Sequence, residues 1–479
     1  MSRVTARLRA AGGTMGALLA LSACAALHAP DIKTPTLRAQ APVLTQDLTA
    51  AEAQWPAGNW WTRYNDPSLN ALIDLALKDG PSLATADARF AAAQESVRLS
   101  GAAQGLKLDA SGSFMRQRIS DNGLFPPQFL GFNWYNEADL GVSARYTFDW
   151  WGKQRASIAA AVNESKASQA ERIQAQLLLS AAVAQAYFGW QSDQQRLALA
   201  RERITLQERQ SRITDLRIKA QLDNGDTARV LNGYLAMTRG QVAELEGSLR
   251  LRIVALAALL GRNAEELPPL TVQALPHVGG RLPESVRLDL IARRPDITAS
   301  RWRVEAAQQN LVSTRAEYFP DVTINALAAL SSIEIGKLLQ SGSAAPQLGV
   351  AIHLPLFDNG LRAARFGAGQ AQVAAAVAGY DEVVIGAARE VATAASQQLS
   401  VAAQEQQSQI ELDEARALVA SAAARVAAGT ADARVRLNAD LAVNTGLDAI
   451  EQLNFAALSA DIALQRALGG GYVAREETP

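Results

Sequence analysis

The stretch Phe148–Gly152, with the sequence FDWWG, closes a segment in which apolar and polar residues alternate. A related stretch, Phe357–Gly360 with the sequence FDNG, closes a second such segment about 200 residues later. After each stretch the chain runs without proline for more than a hundred residues, from Trp151 to Leu267 and from Leu356 to Thr478. Self-similarity at a long spacing indicates that one structural unit is used twice. The sequence therefore predicts two internal structural repeats, over residues 69–265 and 296–471.

The alternating segments predict β-strands with one apolar and one polar face. In the first copy the apolar positions are Leu140, Val142, Ala144, Tyr146 and Phe148, and in the second they are Leu348, Val350, Ile352, Leu354 and Leu356. A weaker alternating segment precedes each of them. We expect strands at about 106–119, 137–149, 321–336 and 345–357, with lengths typical of strands that cross a bilayer.

The proline-free segments predict long helices. We expect helices at about 69–104 (with a break at Pro81), 153–223 and 226–262 in the first repeat, and at about 284–318, 361–428 and 430–468 in the second. A helix of roughly 70 residues would be about 100 Å long. Leucine and valine at heptad spacing from Leu231 to Leu259 predict coiled-coil packing, with Arg252 as a misfit at one seam position. In each repeat two shorter helices match the long one in summed length, which predicts that they stack end to end beside it. The hairpin turns are expected at 223–226 and 428–432, around Gly225 and Gly429.

The N-terminus has the features of an export signal. Arg3, Arg7 and Arg9 precede a short apolar stretch, which ends in Leu21-Ser22-Ala23-Cys24. That ending resembles the bacterial lipobox, in which the cysteine becomes the acylated first residue, and Cys24 is the only cysteine of the chain. We therefore expect a signal peptide at 1–23, a lipidated extended arm at 24–68, a proline-rich equatorial bridge at 266–295 and a C-terminal tail at 472–479. By resemblance, Ala25 and Ala26 after the cysteine favour the outer membrane.

Composition argues against several function classes. The 46 basic and 47 acidic residues nearly cancel, so nothing indicates a nucleic-acid partner. No phosphate-binding loop, zinc-protease pair or serine nucleophile motif occurs. The chain has three histidines, and the two outside the N-terminal arm, His277 and His353, have no predicted ligand set. The sequence predicts no enzyme, no cofactor and no metal site.

The chain resembles the TolC-like outer-membrane efflux channel lipoproteins of the NodT type. The resemblance rests on the lipobox, on the repeated order of helix, strand pair and helices, and on five short stretches of sequence. These stretches are Trp61–Leu69, Ala292–Ile297, Tyr318–Pro320, Phe357–Gly360 and Ala467–Gly471. The resemblance implies an α+β membrane protein, a homotrimer that combines a transmembrane β-barrel with a long α-helical coiled-coil barrel. It also implies a passive exit duct for drugs and other toxic small molecules, in contact with outer-membrane lipid and served by a periplasmic adaptor and an inner-membrane pump.

The same resemblance suggests a gate at the second hairpin, where related channels often have a ring of aspartates about nine residues past the turn glycine. Counting from Gly429, this chain has Asn438 at that place. We expect a mixed constriction formed by Asn438 and Asp432, with Asp440 as a further candidate. Arg434 or Arg436 is expected to connect it to the neighbouring hairpin near Asp223 and Asp226.

Two other functions stay open at this stage. A structural coiled-coil lipoprotein without a pore would explain the helices, although a spacer has no need for strands with an apolar face. A type I protein-secretion conduit is the second alternative. The sequence names neither the exported substrate nor the cognate pump and adaptor.

Overall fold

The computed structural model describes residues 29–42, 55–122, 126–278 and 290–473 of the chain. Seven main helices and four strands alternate along these residues. They are α1 (Pro67–Asp79), α2 (Pro81–Gln104), β1 (Lys107–Arg118), β2 (Trp134–Phe148), α3 (Lys153–Lys219), α4 (Gly225–Leu260), α5 (Pro295–Ala316), β3 (Asp321–Ser332), β4 (Gln347–His353), α6 (Leu361–Ala427) and α7 (Ala433–Ala467). None of the described helices contains an apolar run long enough to cross a lipid bilayer.

The start of α1 follows from local chemistry. Asp66 is the N-cap, and its side chain accepts hydrogen bonds from the backbone N–H groups of Ser68 and Leu69 at 2.9 and 3.2 Å. Pro67 occupies the first turn, where a missing N–H costs nothing. The break expected at Pro81 lies at Gly80, between α1 and α2.

Several elements differ from the expected boundaries, among them β3 and α3, which end at Ser332 and Lys219 instead of near residues 336 and 223. Strand β4 ends at His353 instead of near residue 357. Pro355 lies two residues further on, and it has no N–H to donate to a strand ladder. Helix α5 begins at Pro295, whereas a helix from about residue 284 was expected; residues 290–294 are not helical, and 284–289 lie outside the described residues. A proline disfavours helical backbone at the residue before it, so the helix begins with the proline itself.

The four strands form one antiparallel sheet in the order β1-β2-β3-β4. Its register places most of the large apolar residues of the four strands on one face, because Ala110 pairs with Val142, Tyr146 with Ile324, and Ile324 with Val350. Large side chains of this face are exposed in the isolated chain: Leu348 is 81% and Val350 66% exposed. The opposite face is polar, and its side chains are bonded to each other across the strands. These contacts join Ser113 to Asp139, Gln117 to Glu137, Arg145 to Asn325, and Thr147 to Thr323.

The turns that lead from the sheet into the two long helices share one chemistry. Asp149 accepts hydrogen bonds from the backbone of Gln154 and Arg155, and Asp358 accepts them from Gly360 and Arg362. Each turn also contains a glycine in the left-handed region, Gly152 at φ 75° and Gly360 at φ 83°. The aspartate and the glycine of FDWWG and FDNG thus make equivalent turns before α3 and α6.

The chain divides into two compact units that do not follow the sequence repeats. One consists of Ala91–Lys166 and Trp302–Ala378 with the described part of Met1–Thr36, and it contains the whole sheet. The other consists of Leu37–Phe90, Ala167–Arg301 and Gly379–Pro479, without their undescribed residues, and it contains both helical hairpin ends. Each unit therefore combines corresponding parts of residues 69–265 and 296–471.

The second unit has the larger apolar core. Fully buried side chains from α1, α3, α4 and α7 meet there, among them Leu72, Tyr187, Leu256 and Leu458. Polar groups inside this core are bonded: the Tyr64 hydroxyl donates to Asp461 at 2.7 Å, and the Tyr187 hydroxyl donates to Asp66 at 2.8 Å.

The structure also accommodates Arg252, the misfit in the leucine seam. Its Nε donates to Asp193 at 3.2 Å, and the guanidinium lies 5.6 Å from the ring centre of Phe455. Gly189 provides the space, since a Cβ at that position would lie 2.6 Å from the guanidinium carbon. A basic residue at the seam is therefore matched by a carboxylate and a glycine on α3.

The string Ala467–Gly471 ends α7 with three successive glycines in the left-handed region. Gly469 has φ 87°, and a Cβ there would lie 1.8 Å from the carbonyl oxygen of Arg293. Next to it, the buried Arg294 donates to Ala467 O at 2.8 Å and to Asp296 and Glu390. Only glycine fits at residue 469, because any side chain would displace backbone on the neighbouring segment.

We expect Gly469→Ala to lower the free energy of unfolding by more than about 1 kcal/mol, since it adds both a left-handed alanine and a clash with backbone. Thermal unfolding followed by circular dichroism in detergent measures this. Gly233→Ala is the matched control, because a Cβ at Gly233 meets nothing within 4 Å. In the middle of α4 it should stabilise the protein by about 0.5–1 kcal/mol. Equal melting temperatures for both variants would contradict this account of the glycines.

Candidate functional site

The two helical hairpins end in different turns. Helix α4 begins at Gly225 with Asn224 as its N-cap, whose side chain accepts from Thr227 N at 3.2 Å. Gly225 itself is not the left-handed residue of this turn; that conformation is found at Gln221, with φ 60°. In the second turn Gly429 is left-handed, at φ 70°, and Asp432 caps α7 by accepting from Arg434 N at 2.9 Å. Glycine is thus conformationally required in the second turn, whereas in the first it only begins the helix.

Arg434 joins the two hairpin ends. Its Nη1 donates to Asp223 Oδ2 at 2.8 Å, while its Nε and Nη2 donate to Asp432 Oδ2 at 3.0 and 2.8 Å. Arg217, in the last turn of α3, completes the group: its Nε lies 3.4 Å from Asp223 Oδ2, and its Nη1 lies 3.5 Å from Asp432 Oδ2. Two guanidinium groups and two carboxylates therefore alternate across the hairpins, and we call these four residues the hairpin clamp.

The electrostatics of the hairpin clamp favour the charged forms of Asp223, Asp432 and Arg434. The hydrogen bond from Arg434, together with the positive charges around it, lowers the pKa of Asp432. The pKa of Asp223 is also lowered, first by the Thr227 hydroxyl and then by Arg217 and Arg434. The bond to Asp432 raises the pKa of Arg434. Lowered carboxylate pKa values mean that the clamp is intact at neutral pH and weakens only as acid protonates the aspartates.

The other expected gate residues have partners elsewhere. Asn438 Oδ1 accepts from Gln210 Nε2 on α3 at 2.6 Å, so this amide also contacts the first hairpin. Arg436 lies 3.8 Å from Asp440 within α7 and does not reach the first hairpin, which removes it as a connecting residue. Asp226 pairs with Arg229 at 2.6 Å in its own helix and not with the second hairpin. Of the two arginines considered, Arg434 is the one that connects the hairpins, and it does so through Asp223.

Sequence reasoning missed Arg217 and Gln210. A basic residue in the last turn of a helix is a common cap for exposed carbonyl groups, and Arg217 Nη2 does donate to Leu222 O at 3.2 Å. That signal does not indicate a partner more than two hundred residues away. Gln210 is one of several glutamines in α3, and nothing in its spacing distinguishes it.

The arrangement holds two helical hairpins together. Over the described ranges, no group of three or more His, Cys, Asp or Glu side chains is placed to hold a metal ion. His277 lies in the segment between α4 and α5, and His353 ends β4 on the polar face of the sheet. Cys24, the expected lipidation site, lies outside the described residues.

Comparison with known proteins places these features in a family. The model of the family described as outer membrane efflux protein matches residues 72–262 and 287–470. Multidrug resistance outer membrane protein MdtQ of Escherichia coli O6:H1 is 32% identical over 470 residues, which cover 95% of this chain and 96% of the relative. MdtP of Shigella flexneri, also described as a multidrug resistance outer membrane protein, is 31% identical. The match covers 96% of this chain and 96% of the relative.

A solved structure agrees. The outer membrane protein VceC of Vibrio cholerae superimposes with a TM-score of 0.78 at 30% identity, over 87% of this chain and all of that one. Both segments matched by the family model include the strands, the long helices and the hairpin ends described above. The chain therefore belongs to the outer membrane efflux protein family.

Proposed function

We propose that this protein is the passive outer-membrane exit duct of a tripartite efflux system, which carries drugs and other toxic small molecules out of the cell. The observation that carries the proposal is the four-stranded sheet, with an exposed apolar face on one side and a bonded polar face on the other. Such a sheet suits a wall between lipid and water. Membership of the efflux family and the multidrug resistance relatives support the choice of cargo.

The sheet also supports a homotrimer. Within the described chain, strands β1 and β4 each pair on one side only, so both have a free edge. An open edge cannot face lipid, because its N–H and C=O groups find no water there. Three copies of a four-stranded sheet supply twelve strands, and pairing β4 of one copy with β1 of the next closes a barrel.

The remaining parts follow from this arrangement. The two internal repeats would supply each copy with two helical hairpins that continue the duct through the periplasm as a coiled-coil barrel. A periplasmic adaptor and an inner-membrane pump would deliver the cargo and the energy. The hairpin clamp would hold the duct closed at the hairpin ends.

Single-channel recording in planar lipid bilayers tests the proposal. Purified protein should insert into the bilayer and give currents in discrete steps. The measurement is made with the wild type and with the Arg434→Ala variant, in which the closed hairpin ends are loosened. A structural lipoprotein without a pore would give no channel currents under either condition. That outcome would overturn the proposed function.

We expect charge on the apolar face to impair membrane insertion. Val350→Arg should cost about 2–4 kcal/mol if the residue lies near the middle of the bilayer. Ala351→Arg is the matched control, because Ala351 is next to Val350 in β4 but lies on the polar face. The yield of heat-resistant trimer after refolding into lipid vesicles measures the difference. Equal tolerance of both substitutions would show that the faces are wrongly assigned.

Removal of Arg434 should open the hairpin ends. Arg434→Ala takes away the hydrogen bonds to Asp223 and Asp432 and leaves two carboxylates near each other. We expect a higher open probability in bilayers and greater entry of vancomycin into cells. Asn438→Ala should have a smaller effect of the same sign, because it removes a single contact to Gln210.

Two arginines serve as matched controls for this gate. Arg436 and Arg229 form ion pairs only within their own helices in the described chain, so Arg436→Ala and Arg229→Ala should not raise leakage. Unchanged leakage in Arg434→Ala and Asn438→Ala would refute the gate. Equal leakage in the three arginine variants would show that charge at the hairpin ends matters and the specific contacts do not.

Cys24 is proposed as the acylated first residue of the mature protein, because it is the only cysteine and ends a lipobox. Cys24→Ser should abolish labelling with radioactive palmitate. A fatty acyl group contributes about 0.8 kcal/mol per buried methylene, so its loss should also increase the fraction of protein released from membranes before assembly. An unmodified cysteine, or another mature N-terminus, in the mass spectrum of the wild-type protein would contradict the proposal.

A further inference from the structure

The register of the sheet places two positive charges directly opposite each other. Lys107 on β1 is paired with Arg145 on β2, and directly opposed residues of an antiparallel pair extend to the same face. Both lie on the polar face, and both side chains are exposed. Like charges at opposed positions destabilise a sheet, so this pair is not explained by stability.

Nothing in the described chain neutralises the pair. Neither Lys107 nor Arg145 forms a salt bridge with a carboxylate of the described residues. Arg145 is instead positioned by a neutral group, since its Nε donates to Asn325 Oδ1 on β3 at 3.2 Å. The residues that pair directly across the strands form a row, which we call a level of the sheet. Gly349 is the β4 residue at the level of Lys107 and Arg145; it has no side chain, and a Cβ there would meet nothing within 4 Å. The level is thus cationic and unobstructed.

Three of the four strand carboxylates on the polar face lie on one side of this level, and the fourth, Asp321, lies on the helix side. Lys107 begins β1 directly after helix α2, so the charged pair lies at the end of the sheet that leads into the helices. Asp109 is the next residue of β1 on the same face, roughly 7 Å further from the helices. Asp139 and Glu137 follow on β2, where they accept hydrogen bonds from Ser113 at 3.0 Å and Gln117 at 3.1 Å. In the direction away from the helices, the positive level of Lys107 and Arg145 is therefore followed by three levels that each contain a carboxylate.

On the helix side, the neighbouring polar groups carry little net charge. Thr147 and Thr323 share a hydrogen bond at 3.0 Å at the next level. Asp321 and His353 pair beyond them, and Asp321 has Lys153 at 4.0 Å as a partner. The step in charge thus lies between the level of Lys107 and that of Asp109.

We infer that Lys107 and Arg145 form a cationic collar inside the pore, which selects for anionic solutes at the helix-side entrance of the barrel. The inference rests on the proposed function, because it requires the polar face to line a closed channel. In that channel each copy contributes two positive charges to one ring. Solutes that bear carboxylate, sulfonate or phosphate groups are attracted to the ring, whereas simple cations are repelled by it. The carboxylate levels beyond make the charge profile asymmetric, so the current should also differ between the two voltage polarities.

The test is the reversal potential of single channels in a KCl gradient, which reports the ratio of chloride to potassium permeability. The double variant Lys107→Gln with Arg145→Gln should lower this ratio by about threefold or more at low salt and make the current–voltage curve more symmetric. The effect should shrink as the salt concentration rises toward 1 M, where the screening length falls to about 3 Å. Asp109→Asn should change the ratio in the opposite direction.

Arg116→Gln is the matched control. Arg116 also lies on β1 and loses the same charge, but it belongs to the apolar face, 5.8 Å from the ring centre of Trp134. Its substitution should leave the permeability ratio unchanged. Lys107→Gln alone preserves the contact between Arg145 and Asn325, and it also removes repulsion, so this variant should fold at least as well as the wild type.

The outcomes separate the two proposals. If the wild type conducts and the double variant has the same permeability ratio, the collar is overturned and the proposed duct stays intact. The same conclusion follows if Arg116→Gln changes the permeability ratio as much as the double variant does. A wild type without channel currents, even in the Arg434→Ala background, would overturn the duct and the collar with it.

Discussion

The constraint on which the rest depends is that backbone N–H and C=O groups have no hydrogen-bond partner in lipid except each other. The described part of one chain supplies four strands and thus two free sheet edges. The faces of the sheet agree with a closed assembly, since apolar side chains such as Leu348 and Val350 are exposed on one side while the polar side is internally bonded. The exposed apolar face, which would promote aggregation in a water-soluble monomer, is appropriate for a wall in contact with lipid.

A second requirement is that the long helices keep their alignment over many turns. Leucines of α4 at heptad spacing pack against α3, where Leu245 and Leu249 are buried together with Leu197. The polar exceptions are matched individually, as Arg252 is by Asp193 and Gly189. A substitution at Gly189 therefore affects α4 as well as α3, although the two positions lie more than sixty residues apart in the sequence.

The sequence was sufficient for features that depend on periodicity and local chemistry. Alternation placed Leu140 and Val350 on the same face, and the cap at Asp66 and the break before Pro81 were readable from a few residues. Features that depend on long-range contacts were not readable. The choice of Arg434 over Arg436 as the connecting residue is set by which face of α7 meets α3, and the left-handed residue of the first turn is Gln221, although a glycine is available nearby at Gly225. The early end of β4 illustrates a conflict of signals, because the alternation continues through Leu356 while Pro355 cannot take part in the ladder.

The strength of the hairpin clamp bears on how a passive duct can be opened. Its side chains are partly exposed, with Arg434 at 25% and Asp432 at 38%, so screening by solvent keeps each ion pair weak. A ligand or partner changes such an equilibrium only by the difference in its affinity for the open and closed states. A clamp of a few weak contacts per chain can be opened by a ligand or partner with only a modest difference in affinity for the two states. To break buried hydrogen bonds of the core, such as that from Tyr64 to Asp461, the difference in affinity would have to be far larger. The contacts that are expected to break are therefore placed at the half-exposed hairpin ends, and those that maintain the helices are buried away from them.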